Sequence, residues 1–412
     1  MQKKISKILL SFFLFIEIIY ASELKLSSEK YILYNMNDNE VILSKDENTK
    51  TSIASLTKIM TVIVSIENIK DFNKEITITK DMLSGIDWDV ATAGFKVGDK
   101  LTYNDLLYGA ILPSGADAVN ALAISISGNK KDFVKLMNNK VKELGLKNTK
   151  FANVVGLYDE NNYSSAYDMA QILKYALQNS KFKEVFETKK YTYSNGKTTR
   201  STIERYNSNS NSNISYITGS KTGYIKKAGY CLASTATLNN VNYLLVTLNA
   251  FSSESGVHIK DHTKAYTYFD RNYGYKNIVN KNDDIVTLKT LYAKEKEITI
   301  KSNVEIDDYL KNDFDKNKIK YVYTGLDTIS YFMNKGTKLG HVKIEYENKT
   351  LDEFDLLYNG TLTFSLLSFI WINKFKIILL ILLFMFIFRI IQVQIIKRRR
   401  RKRRRLKKYS QL

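Results

Sequence analysis

Ala54-Ser55-Leu56-Thr57-Lys58-Ile59-Met60-Thr61 sets a serine three residues ahead of a lysine, at the head of a run (55–66) whose spacing predicts a helix. Residues three apart on a helix share a face, so the amine of Lys58 can reach the hydroxyl of Ser55. A serine hydroxyl is a poor nucleophile at neutral pH and needs such a base beside it. The positive end of a helix beginning here would favour an oxyanion developing at Ser55. For Lys58 to accept a proton its pKa must fall, which burial and a second nearby cation such as Lys221 would bring about. The pair alone says little, because an ordinary surface helix carries serine and lysine at this spacing too.

Two further clusters give it weight. Ser114-Gly115-Ala116 follows Pro113, the only proline of the chain. A rigid bend there would hold the Ser114 hydroxyl still at a loop tip, where it could relay a proton between Lys58 and a leaving amine. The plainer reading is a Pro-Ser-Gly turn before a helix. Lys221-Thr222-Gly223 opens a β-rich region. On an edge strand it could pair with an extended peptide, Lys221 and Thr222 meeting a terminal carboxylate and Gly223 letting backbone approach backbone. A plain strand is the rival reading. The fixed order and the separations of roughly 60 and 105 residues tell against coincidence.

From residue 27 to about 274 the chain alternates strand-like and helical patterns. Residues 31–34 and 40–44 read as a hairpin around Asn37-Asp38-Asn39, and 230–237 and 241–248 as another around Asn239-Asn240. Helical spacing recurs over 103–112, 117–127, 131–144 and 165–178. Strands at both ends with helices between them predict an α/β (α+β) domain, an antiparallel sheet with a helical lobe inserted between its strands. Beyond Gly274, the short alternating runs 285–292, 297–301, 319–323 and 342–346 predict a small all-β module. The Asn/Ser-rich segment 207–215 is expected to be a loop.

The chain resembles the D-alanyl-D-alanine carboxypeptidases, the low-molecular-mass penicillin-binding proteins. The resemblance rests on the three clusters as S-x-x-K, an S-x-N-like element and K-T-G. It extends through Leu144-Gly145-Leu146-Lys147-Asn148-Thr149, Phe151-x-Asn153-x-x-Gly156-Leu157, Ser165-Ala166-Tyr167-Asp168-Met169-Ala170 and Ala228-Gly229-Tyr230-Cys231. It covers about residues 31–274 closely. A looser likeness to the family's small β domain includes Lys335-Gly336-Thr337-Lys338-Leu339-Gly340. It implies the β-lactamase-like transpeptidase fold and removal of the terminal D-alanine from peptidoglycan pentapeptide stems through an acyl-serine intermediate, with inhibition by β-lactams. Ser55, Lys58 and Ser114 would be catalytic, and Lys221, Thr222 and Gly223 would bind substrate. The family's second element usually ends in Asn, whose amide contacts the substrate; here Ala116 stands there. That departure keeps open a penicillin-binding wall protein with little turnover. A β-lactamase is a further alternative, but such enzymes need a second carboxylate for deacylation and rarely carry an extra β domain and anchor.

The termini address the chain to a membrane. Residues 1–22 have the build of a secretory signal: leading lysines, an apolar stretch, then Ala21-Ser22; an uncleaved anchor is the alternative. Residues 375–396 give 22 residues, about 33 Å of helix at about 1.5 Å each, with Arg389 snorkelling to the nearer interface. A helix lying in the interface would need a polar face that this run lacks. The formal net charge is +20, but 11 of the basic residues lie in 397–408, directly after that helix. At a membrane exit they argue for a cytoplasmic tail and an extracytoplasmic body, and against nucleic acid. The expected division is therefore signal 1–22, catalytic domain 23–274, β domain 275–360, linker 361–374, transmembrane helix 375–396 and basic tail 397–412. One cysteine, Cys231, excludes an intrachain disulfide. His258 and His262 could face one way on a helix, but no third ligand accompanies them, and neither metal nor cofactor is called for.

Overall fold

The computed structural model describes residues 24–210 and 214–409, so the signal reading of 1–22 lies outside the described residues. The chain divides into two compact units, meeting at Arg271 and Asn272.

In the first unit β1 (Lys30–Asn35) and β2 (Glu40–Lys45) form the expected hairpin, and a single 3-10 turn at Ala54–Leu56 leads into α1 (Thr57–Asn68). Ser55 therefore sits in a tighter turn preceding the α-helix expected to begin with it. A small hairpin of β3 (Glu75–Thr77) and β4 (Lys100–Thr102) precedes the helical lobe: α2 (Tyr103–Ile111), α3 (Ala116–Ser127) and α4 (Lys130–Glu143). Thr102 caps α2 and exchanges hydrogen bonds with Asp105, and Asn129 caps α4, which fixes where each helix starts. Next come α5 (Ala166–Leu177), α6 (Ser180–Glu187), the hairpin β5 (Lys190–Thr192) and β6 (Thr198–Arg200), and α7 (Thr202–Ser210). Helix α7 corrects the loop expected over 207–215: Ser201 accepts from the Glu204 N–H, and this cap starts a helix that carries through Asn207. Strands β7 (Ile217–Ile225), β8 (Gly229–Leu238) and β9 (Val241–Ala250) then complete an antiparallel sheet in the order β2-β1-β9-β8-β7, and α8 (Val257–Asn272) closes the unit.

Both faces of this sheet are covered, which is why β8 and β9 read as almost unbroken apolar runs. Ala233, Leu244 and Val246 join the core shared with α1 and α5. Neighbouring residues point the other way: Ser234 bonds His262 and Tyr266 of α8, and Thr247 bonds His262.

The second unit has its own core of Ile278, Leu288, Ile300, Ile329, Val342, Ile344 and Leu356. Its strands are β10 (Tyr273–Val279), β11 (Asp284–Leu291), β12 (Glu297–Lys301), β13 (Ile306–Lys311), β14 (Lys320–Gly325), β15 (Thr328–Ser330), β16 (Lys338–Tyr346) and β17 (Lys349–Leu357). They form the sheets β10-β13, β12-β11-β15 and β14-β16-β17. A 44-residue helix, α9 (Leu366–Tyr409), comes last. It begins inside the stretch read as a linker and runs on into the basic tail. Its residues Leu366–Arg403 are long and apolar enough to cross a membrane, with a mean hydropathy of 2.5 in the most apolar window.

Candidate active site

The three clusters, scattered over the sequence, meet at one cleft of about 840 Å³ in the first unit, lined by Ser55, Ser114, Thr222 and Gly223 among others. Two close approaches hold the Ser55 turn in place there. Strand β7 is the last of the sheet, paired only with β8, and its residues 222–225 line the cleft. A Cβ on Gly223 would lie 2.9 Å from the Ser55 N and 3.2 Å from the Ala54 Cβ, so only glycine lets the strand press against the turn that holds Ser55. On the other side Gly156, at φ +94°, would place a Cβ 2.0 Å from the Ala54 carbonyl oxygen.

Lys58 lies on the first turn of α1 and is 1% exposed; its ammonium donates to Ser55 Oγ at 2.7 Å and to the Val155 carbonyl at 2.8 Å. That carbonyl is held in turn. Asn153 Oδ1 accepts from the N–H groups of Val155, Gly156 and Leu157, and Thr61, one turn along α1, donates to the Val154 carbonyl. Lys221, also 1% exposed, donates to Ser114 Oγ at 2.9 Å and to the Thr222 carbonyl at 2.7 Å. The two lysines thus each hold one of the two serine hydroxyls.

Burial pulls the Lys58 amine down to about 7, while the Asp117 charge opposes the fall. Lys221 is held well below the ordinary lysine range by burial, then by the charge of Lys58, then by Arg205. Desolvation, the first of the two expected causes, brings Lys58 into range. An amine near neutrality, 2.7 Å from a hydroxyl, can take its proton. Backbone strain marks the same atoms: Ala54 and Ser114 stand at φ +47° and +65°, unusual for residues with a Cβ.

The Lys221 ammonium is engaged by Ser114 and Thr222, whereas Arg205 of α7 lines the cleft together with Thr222. Sequence reading missed Arg205. The signal was the Ser201-x-x-Glu204 start of α7, hidden by the Asn/Ser-rich segment after it. Ala116 is buried at the start of α3. Asp117 accepts from the N–H groups of Ala93, Gly94 and Phe95, just beyond the cleft-lining Val90 and Ala91. His262 is buried against Ser234 and Thr247, and His258 lines the cleft stacked on Tyr230. No group of three or more metal-ligating side chains occurs among the described residues.

The arrangement has relatives. Residues 18–252 match the family model described as D-alanyl-D-alanine carboxypeptidase, peptidase S11. The chain is 30% identical to D-alanyl-D-alanine carboxypeptidase DacF of Bacillus subtilis over 348 residues, 81% of this chain and 85% of that protein. It is 27% identical to DacC of Escherichia coli over 79% of this chain and 82% of that one. Among solved structures, penicillin-binding protein 5 from Haemophilus influenzae aligns with a TM-score of 0.60 and 23% identity, covering 82% of this chain and 98% of that one, which shows the shared fold. The Streptomyces K15 DD-transpeptidase aligns with a TM-score of 0.54 and 30% identity over 59% of this chain and 97% of its own. The chain belongs to the D-alanyl-D-alanine carboxypeptidase family of serine peptidases.

Proposed function

We propose that this enzyme removes the terminal D-alanine from peptidoglycan pentapeptide stems with Ser55 as nucleophile, and that β-lactams inhibit it by acylating the same hydroxyl. The observation that carries the reading is the Lys58 ammonium, buried, with a pKa near 7 and 2.7 Å from Ser55 Oγ. In its neutral form Lys58 takes the Ser55 proton as Oγ attacks the carbonyl carbon of the penultimate residue. The proton then passes by way of Ser114, itself bonded to Lys221, to the nitrogen of the departing D-alanine. The C–N bond breaks, an ester forms on Ser55, and water hydrolyses it. The Ser55 N–H, at the turn against Gly223, would stabilise the oxyanion. Thr222 and Arg205 would receive the free carboxylate of the substrate, whose backbone pairs with the open edge of β7.

Helix α9 anchors the enzyme in the membrane, and the basic residues after the apolar run orient the tail to the cytoplasm and both folded units to the wall side. The test is product analysis on a pentapeptide ending in D-Ala-D-Ala: free D-alanine should appear with the native chain and not with Ser55→Ala, which should also lose labelling by a fluorescent penicillin. Ala116 favours one second reading, a penicillin-binding wall protein that turns over little. Native labelling without D-alanine release would select it.

A further inference from the structure

Within the second unit, the segment leading into α9 is tied to the connection between β11 and β12. Ala293 bridges Phe364, Lys294 N–H donates to the Thr363 carbonyl, and Ser365 N–H donates to the Tyr292 carbonyl. At this junction five rings meet: Tyr292, Tyr331, Phe332, Phe364 and Phe369, with centroid separations from 5.2 Å (Tyr331 to Phe364) to 6.5 Å (Phe332 to Phe369). The cluster is not sealed as a core would be. Phe332 stays 60% exposed, and on the adjoining helix Leu367 is 82% and Trp371 71% exposed. Lys374 stands 4.1 Å over the Trp371 ring, placing a cation at the far edge of the patch.

The bilayer that α9 enters accounts for this surface. Resting on the reading of α9 as a membrane span, Lys374 and Lys376 would exclude residues 366–376 from the hydrocarbon and set its boundary near Phe375. At about 1.5 Å per residue, Trp371 then lies about 6 Å and Phe369 about 9 Å above that boundary. The interfacial layer is roughly 5–8 Å deep on each side, and aromatic rings favour it. We propose that Trp371 lies in the interfacial layer of the leaflet where α9 enters and that the ring cluster and Leu367, about 9–12 Å above the boundary, rest on the outer face of that layer, so that the enzyme is held by a lipid-docked β unit as well as by a helix.

The test uses the full chain reconstituted in phosphatidylcholine vesicles containing lipids brominated either near the headgroup or near the chain end. Trp88→Phe removes the exposed tryptophan and leaves Trp371 as reporter; Phe332→Trp and Leu367→Trp are then each examined with Trp88→Phe and Trp371→Phe. Tryptophan at 332 and at 367 should be quenched more by the shallow than by the deep bromines and be at least about twofold protected from aqueous acrylamide, as expected of interfacial side chains. Unquenched, acrylamide-accessible tryptophan at both positions would overturn the docking. Phe384→Trp in the same background separates the two readings: deep quenching there with none at 332 and 367 refutes the docking and leaves the span standing. No deep quenching at 384 refutes the span and the docking with it.

Discussion

Lys58 illustrates how burial makes a base. Its amine falls from the ordinary 10.5 to about 7 chiefly because α1 and the Val155 loop exclude water from it. If Lys58 is the base of the proposed reaction, acylation needs its neutral amine, so the rate should climb as pH rises through about 7, flatten above, and drop tenfold per unit below, as measured by stopped-flow acylation with a chromogenic cephalosporin. Lys58→Ala should lose that limb and acylate at least about 10²-fold more slowly. The same shift costs stability, in full below about pH 7 and not at all above about 10.5. Between about 7 and 10.5 the unfolded chain holds a proton that the folded one lacks, so Lys58's contribution to stability rises with pH across that range. The proposed reaction gives Arg205 and Lys221 different roles. If Arg205 reads the substrate carboxylate, Arg205→Ala should cut the preference for a free over an amidated C-terminus by about one to two powers of ten, the roughly 1.5–3 kcal/mol of a charged hydrogen bond. Lys221→Ala should instead lower kcat for both peptides and leave their ratio unchanged. A collapsed ratio in Lys221→Ala alone would return the carboxylate to Lys221.

At the scale of elements, the site is held by packing of backbone on backbone. The Gly156 loop, the Ala54–Leu56 turn and β7 form three layers in which two glycines remove the side chains that would part them. Gly156→Ala should therefore open the site from behind. Its Cβ would meet the Ala54 oxygen at 2.0 Å, and φ +94° is strained for alanine. Both penicillin acylation and thermal stability should fall; a variant with native melting temperature and native acylation rate would show that the layers have slack. The same features explain what could be read from sequence. Helices α1 to α5 and the hairpins β1-β2 and β8-β9 announced themselves by period, caps and Asn-rich turns, because local patterns made them. The Val155 carbonyl could not, since a backbone acceptor 97 residues from Lys58 leaves no side-chain signature. Nor could φ +65° at Ser114, which the surrounding fold imposes. In the second unit β10, β13, β15 and β17 escaped notice for different reasons. Strand β10 continues from α8 without a break, β13 and β17 interleave acidic residues with their apolar ones, and β15 is only three residues long.

For the whole molecule, the decisive fact is that the two cores share no residue: the first draws on residues 32–248, the second on 278–358. Every side chain assigned to catalysis lies in the first. Removing the anchor should therefore leave turnover on a soluble peptide unchanged, and where the cut falls should decide only how the protein partitions. Deleting 375–412 leaves Leu366, Leu367, Ile370 and Trp371 exposed on a short helical stub, and such apolar side chains retain some affinity for lipid. Deleting 366–412 removes them. Co-sedimentation with vesicles should decrease in the order full chain, 375–412 deletion, 366–412 deletion, while D-alanine release per active site, titrated with a penicillin, stays equal in all three. Loss of turnover in step with loss of binding would mean that the anchor does more than tether, and that folding of the first unit depends on the chain beyond Arg271.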